Sequence, residues 1–165
     1  TNMEVHKMKK KILKLMEMVA AWLILPSISK ARHQHGAAKG EPMKMDTREV
    51  LVEGVKVVFQ VMTNEEHKKM LLDMKSKEQP EAGTTHNIAV TLVDENSHRE
   101  VMNAEAQMKV IDPAGKSQIK ALKPDTMMKY YSAYFNLSQR GKYQVLIVFK
   151  TGDKKSSAGI YYEVK

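Results

Sequence analysis

The chain has 165 residues, 42% hydrophobic and including 13 Met, a length that holds one domain with a tail. It contains no Cys, which excludes disulfides, thiolate metal sites, Cys nucleophiles and lipid-modified Cys anchors. The net charge is +8, but residues 1–31 carry six Lys against two Glu, and the +4 that remains is interspersed with acids, so the pattern reads as a solvated Lys-rich surface and not as a nucleic-acid patch.

Lys7, Lys9, Lys10, Lys11 and Lys14 form a basic opening, followed by the short apolar run Val19-Ala20-Ala21-Trp22-Leu23-Ile24-Leu25 and the helix breaker Pro26. Ser29-Lys30-Ala31 then places small residues where a signal peptidase needs them. Residues 1–31 are therefore expected to be a signal peptide, with Met3 or Met8 as the start. Its apolar run is too short to span a bilayer, so no stable membrane insertion is expected after cleavage. The mature chain is expected to be periplasmic, or otherwise extracytoplasmic, and soluble. Residues 32–47 are polar, with Gly36, Gly40 and Pro42 and no apolar period, and read as a flexible tail carrying His33, His35, Met43 and Met45.

From residue 48 to 165 the pattern is that of strands. Glu49–Glu53 and Val55–Met62 are two runs separated by Gly54, with Val55, Val57, Phe59 and Val61 on one face. Thr63 or Asn64 can cap a helix near residues 65–75, with Glu65 and Glu66 suited to its dipole and His67, Met70, Leu71 and Met74 on one face. Ile88, Val90 and Leu92 alternate inward, as do Ala104, Ala106, Met108 and Val110. Asp112-Pro113-Ala114-Gly115 has the chemistry of a type I turn and joins a hairpin to Lys116–Leu122. Tyr130–Phe135 precedes the most apolar strand, in which Tyr143, Val145, Ile147 and Phe149 share a face and Leu146 and Val148 half-fill the other. Tyr143, just after the turn at Gly141, matches a tyrosine corner, in which the hydroxyl bonds back to the connecting loop. Ala158–Val164 is the last strand. About eight short strands and one inserted helix predict an all-β, immunoglobulin-like antiparallel β-sandwich.

Phosphate loops, Rossmann glycines, zincin helices and nucleophile elbows are absent, and no catalytic constellation stands out, so no enzyme is expected. The donors that remain are Met and His. Thioether sulfur suits Cu(I), and imidazole suits Cu(II), Zn and Ni. Candidate ligands are His33 with His35, Met43 with Met45, and a group around the helix of Met62, His67, Met70 and Met74, joined by His86 from the next strand. Met127-Met128 is a looser fourth group. Against this, Met70 and Met74 at helical spacing also serve as core filler, and His86 opening a strand also fits a hydrogen-bonded residue.

Residues from about Val52 to Lys165 resemble the small exported bacterial proteins with a YtkA-like, FixH-like sandwich domain. The resemblance is carried by Val61-Met62-Thr63-x-x-x-His67-Lys68-x-Met70, Thr85-His86-Asn87-Ile88-x-Val90-x-Leu92-x-Asp94, Val110-Ile111-Asp112-Pro113-x-Gly115-Lys116 and Leu137-Ser138-x-x-Gly141-x-Tyr143. It implies an envelope module that handles copper through Met and His, here at Met62, His67, Met70, Met74, His86, Met127 and Met128. The chain departs from the family pattern at Lys75-Ser76-Lys77, where relatives extend the Met run, and at Lys129-Tyr130-Tyr131, where they place a His. The expectation is an exported, non-enzymatic protein that binds or relays a metal ion, copper first. Its rival is a metal-free interaction module that binds an envelope protein partner through a sheet edge or the helix. Convergence of Met62, His67, Met70, Met74 and His86 at an exposed site would favour metal, and Met side chains pointing into the sandwich would favour the interaction module.

Overall fold

The structure is a computed structural model that describes residues 46–165. The expected signal peptide and the tail ligands His33, His35, Met43 and Met45 lie outside the described residues. Asp46 and Thr47, expected to close the tail, instead open the first strand, paired with Val61 and Gln60.

Two antiparallel sheets face each other, with one short helix among the described residues. The elements are β1 (Asp46–Val52), β2 (Val55–Thr63), α1 (Asn64–Asp73), β3 (His86–Asp94), β4 (Glu105–Ile111), β5 (Ser117–Ala121), β6 (Lys123–Asp125), β7 (Tyr130–Phe135), β8 (Gly141–Thr151) and β9 (Lys154–Val164). The first sheet has the order β1-β2-β3-β7-β6 and the second β5-β4-β8-β9. The expected all-β sandwich is thus present, with one strand more than the sequence pattern gives. That strand, β6, is a three-residue edge on β7 containing Pro124, a position where the missing N–H breaks no ladder.

Turn chemistry sets the hairpins. Glu53 and Gly54 both have positive φ (48° and 79°), so the β1–β2 connection is a two-residue turn twisted to match its strands. In the β4–β5 hairpin Gly115 N–H donates to Asp112 C=O at 3.0 Å, and the Asp112 carboxylate accepts from Ala114 and Lys116 N–H. The strand expected to be central is β8, between β4 and β9.

The sandwich core is the alternate residues: Val57, Phe59 and Val61 of β2, Ile88, Val90 and Leu92 of β3, Met108 and Val110 of β4, and Tyr143, Val145, Ile147 and Phe149 of β8. Two tyrosines bolt loops onto this core. Tyr143 Oη donates to Gln139 C=O at 2.9 Å and accepts from Gln139 N–H at 3.0 Å, the expected tyrosine corner. Tyr131 Oη does the same for the loop before β4, donating to Val101 C=O and accepting from Ala104 N–H, each at 2.9 Å.

Candidate metal centre

The helix is held over the sheet by its own ends. Thr63 is the N-cap, and with Glu66 it forms a capping box: Glu66 N–H donates to Thr63 Oγ1 at 3.2 Å, and Glu66 Oε2 accepts from Thr63 N–H at 2.8 Å. Asn64 ties the first turn to the strand that follows, its N–H donating to Thr85 C=O at 2.8 Å and its Nδ2 to Thr84 C=O at 2.9 Å. At the other end Ser76 N–H donates to Leu71 C=O and Lys75 N–H to Leu72 C=O, a Schellman closure with Lys75 at φ 55°. The backbone direction of α1 is therefore fixed at both termini.

Alternation decides what lies beneath it. Val61, Ile88 and Phe135 point into the core, so their neighbours Met62, Asn87 and Tyr134 point to the other face of the first sheet. Register places these three side by side, Met62 opposite Asn87 and Asn87 opposite Tyr134. All three are buried although they face away from the core, and α1 covers this face by burying His67, Met70 and Leu71. The result is a second, smaller interior that includes His67, Met62, Met70, Asn87 and Tyr134.

His67 is its centre, with 2% of its surface exposed. Its Nδ1 lies 2.9 Å from Tyr134 Oη, and the two rings sit at 54° with centroids 5.4 Å apart. Its Nε2 is buried and has no hydrogen-bond partner among the described residues. Burial pushes the imidazole pKa down, with the Glu78 carboxylate opposing, so the ring is neutral at pH 7. The Tyr134 hydroxyl is pushed up to about 12 by burial and by Glu78 and Tyr130, and stays protonated. In the tautomer with its proton on Nδ1, His67 donates to Tyr134 Oη and presents the Nε2 lone pair. An imidazole oriented through one nitrogen and free at the other is the arrangement a metal ligand needs.

His86 does not join this group. It shares parity with Ile88, so it faces the opposite side of the sheet from Asn87, at the end of the core. There its Nδ1 lies 2.8 Å from Thr85 Oγ1, which also accepts Leu137 N–H, so this ring nitrogen is engaged within the fold. Its ring meets Tyr162 edge-on, with centroids 5.9 Å apart. Burial lowers its pKa too, against the pull of Glu66. Met74 is the helix C-cap and half-buried, at the margin of the covered face. Met127 and Met128 are exposed on the β6–β7 turn, where Asp125 Oδ1 accepts both of their N–H groups.

The structure thus gathers Met62, His67 and Met70 on one face of the sheet and turns His86 to the other. Asn87 and Tyr134 were not flagged by the sequence reading. A signal for Asn87 was present: a carboxamide near the start of an otherwise apolar interior strand, directly before the alternating run Ile88, Val90 and Leu92. Among the described residues no three His, Asp or Glu side chains converge as ligands, so a site built only from hard donors is not formed. The potential donors on the covered face are the His67 imidazole and the thioethers of the buried Met62 and Met70, the donor types that soft ions take.

No protein-family model matches the chain, and a search of curated proteins finds no significant match. The likeness to YtkA-like and FixH-like domains therefore rests on the quoted motifs. Solved structures do share the fold. A DUF4426 family protein from Pseudomonas aeruginosa aligns with a TM-score of 0.55 at 15% identity, over 72% of this chain and 94% of its own. FetP of uropathogenic Escherichia coli, expressed in the periplasm, aligns with a TM-score of 0.58 at 10% identity, over 76% of this chain and 97% of its own. A copper-bound variant of FetP aligns with a TM-score of 0.55 at 8% identity, over 72% of this chain and 95% of its own. At these identities the likeness is one of fold.

Proposed function

We propose that this protein is an exported, non-enzymatic copper-binding protein, and that Cu(I) is held on the helix-covered face of the first sheet by His67 Nε2 and the thioethers of Met62 and Met70, with Met74 at the margin. The observation that carries the reading is the unpartnered Nε2 of a buried, neutral His67 whose other nitrogen is engaged by Tyr134. A buried polar atom without a partner is costly, and a ligand is one explanation for keeping it. The copper-bound FetP structure supports the choice of ion, since a sandwich of this shape binds copper there. No thiolate is available, so the affinity is moderate and compatible with passing the ion on.

The test is a Cu(I) titration under reducing conditions against a chromogenic competitor. Wild type is compared with His67→Leu and with Met70→Leu/Met74→Leu, swaps that keep the helix and its apolar volume. Losing one ligand should weaken binding by roughly tenfold or more. Equal affinity in all three folded proteins sinks the site and leaves the metal-free interaction module. One observation favours that second reading: Leu72, on the outward side of α1, is 60% exposed.

Export is part of the same proposal. Among the described residues no helix is long and apolar enough to cross a membrane. The expected cleavage after Ala31 is checked by intact mass of periplasmic material, which should begin at Arg32. In that mature chain we propose that His33 and His35, beside the new α-amine, hold Cu(II), with Met43 and Met45 as nearby soft donors.

A further inference from the structure

We infer that Asn87 is a further ligand of the site under α1, and that its carboxamide oxygen fits the site to oxidised copper as well as to the reduced ion. The inference rests on the copper reading above. Asn87 is fully buried, and neither Oδ1 nor Nδ2 has a hydrogen-bond partner among the described residues. It stands between Met62 and Tyr134 in register, on the face that His67 covers from the helix. Three buried polar atoms without partners among the described residues, His67 Nε2 and both ends of Asn87, therefore lie on the helix-covered face of the first sheet, where Tyr134 is the register neighbour of Asn87 and touches His67.

Packing alone does not require an amide there. The next residue of β3 on the same face is Ala89, fully buried and apolar, and the neighbour on β2 is Met62. An apolar side chain at 87 would continue that layer with no unpaired donor or acceptor. The amide is a liability to the metal-free fold, which points to a role in the bound state.

The chemistry of the donors states what that role is. Thioethers are soft and favour Cu(I), while oxygen and imidazole nitrogen suit harder ions such as Cu(II). A neutral amide oxygen adds a hard donor without placing a second charge in a buried site, as a carboxylate would. With Asn87 the site combines imidazole, thioether and oxygen, and without it only the soft set and His67 remain.

The test uses the mature chain carrying His33→Ala and His35→Ala throughout, so that Cu(II) on the tail does not mask the site. Wild type at position 87 is compared with Asn87→Leu, and with Asn87→Ala in case the larger side chain disturbs folding. Three quantities are read: the urea midpoint of the metal-free protein, Cu(I) affinity, and Cu(II) affinity with its paramagnetic resonance spectrum. The expected result is a higher metal-free midpoint for Asn87→Leu and Cu(I) affinity within about threefold of the parent. Cu(II) affinity should fall by roughly tenfold to a hundredfold, as losing a supporting group at a metal site does, with a changed copper hyperfine splitting. Unchanged Cu(II) affinity and spectrum in both variants, or equal loss of both ions, overturns the assignment to Asn87 while leaving the copper site standing. A parent chain that binds neither ion overturns the copper reading itself, and this inference with it.

Discussion

Replacing Tyr143 by Phe removes one oxygen atom from a site where the structure defines all of its work. The ring is 1% exposed and packs with Val145, Ile147 and Phe149 in the core, and Phe keeps that packing. What is lost is a pair of hydrogen bonds to one residue, Oη to Gln139 C=O at 2.9 Å and Gln139 N–H to Oη at 3.0 Å. A net hydrogen bond is worth about 1 kcal/mol, so two set an upper figure of about 2 kcal/mol. Gln139 is itself exposed, so water recovers part of what its backbone loses, and the expected cost is about 1–1.5 kcal/mol. That corresponds to a fall in Tm of roughly 3–6 °C for a domain of this size. Urea unfolding followed by tryptophan-independent circular dichroism gives the midpoint, and an unchanged slope shows that the unfolded state is not what moved. Tyr131→Phe should behave alike, because its hydroxyl makes the same two bonds to Val101 and Ala104. The two hydroxyls share no partner, so the double variant should lose the sum of the single losses to within about 0.5 kcal/mol. A midpoint for Tyr143→Phe equal to wild type would refute the claim that this corner holds the β7–β8 connection.

Lys75→Gly should stabilise the protein by about 0.5–1 kcal/mol, because Lys75 closes α1 at φ 55°, where a Cβ is strained and Gly is not; a lower thermal midpoint contradicts this. Gly141→Ala should destabilise by roughly 1–3 kcal/mol, since φ is +126° and an added Cβ would lie 2.9 Å from Pro113 Cγ; wild-type stability in urea would show that the turn gives way freely. Acid should weaken the metal-free fold before the carboxylates titrate. His67 and His86 both have folded pKa values below 6.5, so the unfolded chain binds protons more readily: stability is whole above that pH and declines as pH falls through 6.5 toward the folded values. Urea midpoints measured from about pH 7.5 down to about pH 5 should fall, and His67→Leu should flatten the slope; a midpoint that rises with acid contradicts the assignment.

How much of this was legible in the sequence depends on whether a feature is local. The alternation of Tyr143 to Phe149, the Asp112–Gly115 turn, the shared face of His67, Met70 and Leu71 and the tyrosine corner follow from side-chain periods and turn chemistry within a few residues, and the structure contains each of them. β6 was not legible, because three residues around Pro124 carry no period and become a strand only when β7 offers its edge. The site was legible in part. Composition and helical spacing singled out His67 and Met70. Strand parity already set His86 and Asn87 on opposite faces of β3. Nothing local states which of those faces the helix will cover. That choice was made by the sandwich: the second sheet took the face of Ile88 and Val90, so α1 was left with the face of Met62, Asn87 and Tyr134. The same long-range choice brought Tyr134 to His67, 67 residues earlier in the chain, and left Asn87 buried without a side-chain partner among the described residues, because tertiary contacts between distant residues depend on the order of strands and not on the pattern within any one of them.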